Sequence, residues 1–136
     1  MIYLLDTNAA VAIIRGKPAV VRARLAEALN SGGRVAISTV VAYELWYGVS
    51  KSARREENAG LLRMFLSGNV ELIPFDGETA ALAGDIRARL EKNGNMIGPY
   101  DLMIAAHTLN LQATLITANV SEFGRVEGLT WEDWTQ

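Results

Sequence analysis

"IYLLDTNAAVAIIR", residues 2–15, changes its hydrophobic rhythm in the middle. Residues 2–6, "IYLLD", form a short β-rich run, and from Asn8 to Arg15 the pattern is helical, so a strand feeds directly into a helix. The alternation recurs downstream. A helical pattern runs from Pro18 to Asn30 and stops at Gly32 and Gly33; "RVAIS" (34–38) is a second strand, and Ser38 or Thr39 can cap a helix continuing to about Ser50. A helix over Arg54–Leu66 stops at Gly68, "VELIPF" (70–75) is a third strand with Pro74 near its end, and Glu78–Lys92 is helical up to "NGN". "GPYDLMIAAHTL" (98–109) adds a helix with Pro99 in its first position, and "ATLITA" (113–118) and "LTWEDW" (129–134) are the last strands. Strands separated by helices predict an α/β layer fold with a mainly parallel sheet. In such sheets functional groups gather beyond the carboxyl ends of the strands.

The chain has 136 residues, 50% of them hydrophobic, and no repeat or long linker, so residues 1–136 read as a single domain around one core. It contains no cysteine and one histidine, His107. That excludes disulfides, thiolate metal sites and Cys-His catalysis, leaves Ser-His-Asp chemistry only if His107 serves, and argues against a histidine-built zinc site. The cysteine count fits a reducing cytosol, and a cytoplasmic location is expected. "MIYLLDTNAAVAIIRG" has no basic leader and is interrupted by Asp6, Thr7 and Asn8, so it reads as neither signal peptide nor membrane span. The net charge of −2 means that nucleic-acid binding needs a local basic patch or bound cations.

Three carboxylates are each the only charge in a strongly apolar stretch: Asp6 ends "MIYLLD", Glu44 sits in "STVVAYELWYGV", and Asp101 opens "DLMIAA". A first-turn acid such as Asp101 has an ordinary explanation in the helix dipole. Three isolated acids in apolar runs do not. Val40, Val41, Tyr47 and Gly48 share a helical face with Glu44, which is expected to point inward. A buried unpaired carboxylate costs several kcal/mol or raises its own pKa, and clustering makes it worse. No Lys or Arg lies in the stretches around the three acids; Arg15 is the nearest. A hard divalent cation, Mg²⁺ or Mn²⁺, is the remaining compensator and suits all-oxygen ligation. A fourth segment, "TANVSEF", brings Thr117, Asn119 and Glu122 to the same edge of the sheet.

"LLDTN", "ELWYGV", "IGPYDLMIAAHTL" and "TLITANVSEF", in that order, together with "IPFD" and the closing "RVEGLTWEDW", resemble the PIN-domain ribonucleases, and specifically the VapC toxins of bacterial toxin–antitoxin pairs. The resemblance spans nearly the whole chain. It implies a three-layer α/β/α fold with a roughly five-stranded sheet and metal-dependent hydrolysis of RNA, with transfer RNA or a ribosomal RNA loop as substrate. Asp6, Glu44 and Asp101 match the metal-binding acids of the family, Asn119 falls where many members have a fourth Asp, and Glu122 falls where another acid often follows. Thr7, Asn8 and Thr117 match its polar surround. The chain departs from the pattern at Ala118, usually polar or basic, and at Asn119, which leaves one metal or two open. The resemblance further implies a homodimer neutralised by a small VapB-type antitoxin whose tail lies between the apolar helices.

Arg15, Arg22, Arg24, Arg54 and Arg55 are the candidate RNA-binding cations. His107 is expected to be packed and hydrogen-bonded, Trp46 and Tyr47 to pack against neighbouring helices or a partner, and Trp131 and Trp134 to seal the last strand. Two rivals stand beside the ribonuclease reading. A phosphoryl transferase using an aspartyl intermediate needs a late lysine, yet the only lysines are Lys17, Lys51 and Lys92. A PIN fold that binds RNA or a partner with weak catalysis is the alternative.

Overall fold

A computed structural model describes residues 1–136. In chain order the elements are β1 (Ile2–Leu5), α1 (Thr7–Arg15), α2 (Val20–Asn30), β2 (Arg34–Ser38), α3 (Thr39–Lys51) and α4 (Arg55–Leu66). There follow β3 (Val70–Ile73), α5 (Gly77–Lys92), α6 (Pro99–Asn110), β4 (Thr114–Ile116), α7 (Val120–Phe123) and β5 (Trp131–Glu132). The five strands form one sheet in the order β3-β2-β1-β4-β5, every neighbouring pair parallel. Tyr3 stands between Val35 on one side and Thr114 on the other, so β1 is the central strand.

Leu4 and Leu5 point to opposite faces of β1, and both are fully buried. The sheet is therefore covered on both sides, the three-layer arrangement expected of a parallel sheet, whose strands read as continuous apolar runs. Leu5, Val35, Ile37 and Leu115 join the main cluster, and Leu4, Ala36 and Ala113 form the smaller one on the other side. The core centres on β1, β2 and β4, and only their ends open to solvent.

The strands are shorter than the sequence runs. Asp6 leaves β1 to cap α1, its Oδ1 accepting from the Ala9 N–H at 2.7 Å. Gly16 ends α1 in the left-handed conformation, φ 69°, with its N–H on the carbonyls of Ala12 and Ile13. β3 stops at Ile73, because Pro74 has no N–H to donate. "TANVSEF" contains the single-turn helix α7.

The outer aromatics split. Trp134 is buried and tilts against Tyr3 with ring centroids 5.6 Å apart, whereas Trp131 is 38% exposed on the edge strand, so Trp134 alone seals it. Trp46 packs under the Arg63 guanidinium, 5.6 Å from its ring, but Tyr47 stands 57% exposed. His107 is packed as expected, with the Phe75 ring edge-on at 5.7 Å, yet its Nδ1 has no hydrogen-bond partner. Burial pushes its pKa down and keeps the ring neutral.

Candidate functional site

The strand order places β1 beside β4, where the connections leave in opposite directions. A crevice opens there beyond the carboxyl ends of the strands. Asp6 follows β1 and Thr117 follows β4, both buried, while Asp101 enters from the first turn of α6. Glu44 reaches the same end because Ser38 turns β2 directly into α3, its Oγ accepting from the Val40 N–H at 3.1 Å.

The face of α3 that carries Glu44 is the wall of an opening rather than interior. The buried residues of α3 are Val41, Ala42 and Leu45, and Glu44 is half-buried. The Thr7 hydroxyl donates to Glu44 Oε1 at 2.6 Å and ties α1 to α3. Asp6 is pushed above the usual carboxylate range, chiefly by burial and also by the charges of Glu44 and Asp133, against hydrogen bonds from Thr117 and the Ala9 N–H. Asp133, just past the end of β5, is a neighbour that the sequence did not single out, because "WEDW" carries two acids side by side.

Asp101 and Glu122 converge beside Gly98: a Cβ there would stand 3.8 Å from Asp101 Oδ2 and 3.8 Å from Glu122 Oε1. Glu122 Oε1 accepts from the Gly98 N–H at 3.2 Å and Oε2 from Asn119 Nδ2 at 3.3 Å. Asn119 thus orients Glu122, while its own N–H donates to Thr117 Oγ1 at 2.9 Å. Burial, the hydrogen bond with Glu122, and the charges of Glu122, Asp6 and Glu44 push Asp101 up to about 7, and accepting that bond holds Glu122 down. The two carboxyls are close enough that ionising both is disfavoured.

Asp6, Glu44, Asp101, Asn119, Glu122, Thr7 and Thr117 therefore lie at one end of the sheet, and none of these acids takes part in an ion pair. Asn8 is exposed on α1 and makes no side-chain hydrogen bond to them. Repelling, partly desolvated carboxylates with all-oxygen donors fit a hard divalent cation. No three acids converge closely enough to grip one ion together, and Mg²⁺ does not require it, since it takes one or two carboxylates and keeps several waters.

The arginines do not form one patch. Arg22 donates to the carbonyls of Ile13 and Ile14 at 3.0 and 2.9 Å and closes the end of α1. Arg24 stands 3.9 Å from Glu132, Arg54 pairs with Glu57 at 3.5 Å, and Arg55 is exposed at the start of α4. Of these five only Arg15 adjoins the acids, in an open cleft of about 630 Å³ that runs from Thr7 and Glu44 past Val11, Ile14, Tyr47 and Leu61.

A parallel sheet with unpaired acids at its switch point defines a class, and the family model for the PIN domain matches residues 3–129. The chain belongs to the PIN-domain family, and within it to the VapC ribonucleases. It is 42% identical over 134 residues to Ribonuclease VapC2 of Rickettsia felis, covering 98% of each chain, and 40% identical over 133 residues to the tRNA(fMet)-specific endonuclease VapC of Shigella flexneri, again covering 98% of each. It also superposes on the crystal structure of VapBC2 from Rickettsia felis bound to a DNA fragment from their promoter, with a TM-score of 0.90 and 41% identity, covering 98% of this chain and 99% of that one.

Proposed function

We propose that residues 1–136 act as a single PIN domain, a cytoplasmic toxin that cuts RNA with the help of Mg²⁺ or Mn²⁺ and is restrained by a small cognate antitoxin. The observation that carries this reading is the set of unpaired carboxylates at the crevice, with Asp101 pushed up to about 7. An arrangement that disfavours its own charges favours a cation. Asp6, Glu44 and Asp101 would hold the ion, which when bound polarises a phosphodiester and activates water.

The chain's own residues do the rest. Thr7 holds Glu44 in one rotamer, Thr117 steadies Asp6, and Asn119 with the Gly98 N–H aims Glu122. Glu122, held by these bonds and kept below its ordinary pKa, stays a carboxylate at the crevice and is the group placed to accept a hydrogen bond from water there. No cysteine or serine nucleophile is required. Transfer RNA, in particular the initiator anticodon stem-loop, is the substrate we favour, because relatives near 40% identity are named tRNA(fMet)-specific endonucleases.

The cleft between α1, α3 and α4 begins at Thr7 and Glu44 and is largely apolar, so it suits the tail of an antitoxin, with a basic side chain reaching the acids. The solved relatives include VapBC complexes, and a homodimer is the assembly we propose. Cleavage of a labelled RNA pool in Mn²⁺, with and without chelator, tests the activity. Loss in chelator supports the reading; cleavage unaffected by chelator, or none in metal, overturns it.

A further inference from the structure

We propose that Tyr43 and Tyr100 form a stacking platform for an unpaired base of the RNA, beside the bond that is cut. The proposal rests on the nuclease reading and adds how the substrate is gripped. Tyr43 lies on α3 one residue before Glu44, and Tyr100 lies on α6 one residue before Asp101. The helices bring the two rings together across the mouth of the crevice, centroids 5.4 Å apart and tilted by 51°, with hydroxyls 3.4 Å from each other. Neither ring serves the core: Tyr43 is 53% exposed and Tyr100 39%.

A single exposed tyrosine is ordinary. Two that meet from separate helices, each next to a site carboxylate, form a continuous aromatic surface at the place where substrate must lie. The electrostatics favour a base over a phosphate there. Acids line the crevice, and of the cations near it Arg125 acts on Glu122 and donates Nη1 to the Met96 carbonyl at 2.8 Å, while Arg15 lies in the cleft that also borders Glu44. A neutral π-face can sit beside carboxylates that would repel a phosphate lacking a metal. Neither tyrosine lines that cleft, so the platform and the cleft are separate surfaces. Stacking suits RNA read in single-stranded loops, where bases splay onto aromatic side chains, each worth about 1–3 kcal/mol.

The test uses an RNA hairpin with 2-aminopurine in its loop. Binding is read by fluorescence quenching in chelator, and steady-state cleavage is read in Mn²⁺. Tyr43→Ala and Tyr100→Ala should each raise Kd and KM by about five- to a hundredfold with kcat little changed. Tyr43→Phe and Tyr100→Phe keep the ring and should restore quenching and KM. Unchanged Kd and KM in both alanine variants would overturn the platform, as would a fall in kcat at constant KM. A change of oligomeric mass in both alanine variants would also overturn it, by showing the tyrosines to be an interface between copies of the chain. Quenching by the wild type without any cleavage would sink the nuclease reading and leave the platform standing.

Discussion

The Thr7 hydroxyl donates to Glu44 Oε1 at 2.6 Å, across 37 residues of sequence, and is the only side-chain hydrogen bond that Glu44 makes. One end of a carboxylate on the wall of an open cleft is thereby held still. Its partner residue follows the Asp6 cap of α1, so α1 positions two site acids at once.

Thr7→Val keeps the shape of the side chain and removes the donor. Because Glu44 is only half-buried, the stability loss should stay within about 1 kcal/mol. Metal affinity should fall by about 10–100-fold, the usual effect of losing a group that orients a ligand. Thr7→Ser should retain it. Calorimetric titration with Mn²⁺ reads the difference, and an unchanged affinity in Thr7→Val would show that the bond has no bearing on the ion.

Arg22 makes a contrasting case. Its guanidinium forks onto the carbonyls of Ile13 and Ile14 beside Gly16, where a Cβ would come within 2.7 Å of Arg22 Cζ. Arg22→Ala should lose about 1–2 kcal/mol, measured by urea unfolding, and Arg22→Lys should not recover it, since an ammonium cannot form the fork. RNA cleavage per folded molecule should be unchanged. A specific loss of RNA affinity at unaltered stability would return Arg22 to the substrate.

The crevice also sets a pH dependence. Asp101 is pushed up to about 7 in the folded chain against 3.8 for an ordinary aspartate, so folding takes up a proton between these values. The stability this contributes is fully present below about 3.8 and is lost as the pH rises through about 7. In chelator, the melting temperature of Asp101→Asn relative to wild type should therefore climb from about pH 5 to about pH 8. A difference that is flat with pH would mean that Asp101 titrates normally.

Much of this was legible in sequence for a physical reason. The β and helical rhythms of "IYLLDTNAAVAIIR" survive because β1 and α1 are both packed on the sheet, so burial imposes the period on the residues. The isolation of Asp6, Glu44 and Asp101 signals a site because apolar surroundings leave a carboxylate no ordinary partner. Contacts between segments distant in sequence were beyond this kind of reading. The Tyr43–Tyr100 pair spans 57 residues and the Gly98–Glu122 bond spans 24, and neither leaves a periodic trace. Trp131 and Trp134 look alike in "TWEDW", yet only Trp134 turns inward, because that choice depends on Tyr3 across the sheet.

The central claim is that the crevice of Asp6, Glu44 and Asp101 takes a divalent cation with Asp101 among the acids that bind it, and thermal melts of wild type and Asp101→Asn in chelator and in Mn²⁺ address it without any substrate. In chelator the variant should be at least as stable as wild type, since a like-charge clash is relieved. On adding Mn²⁺ the wild type should gain melting temperature by linkage and the variant should gain much less. An equal metal-induced shift in the two proteins would contradict the assignment and leave Asp101 as nothing more than a first-turn acid.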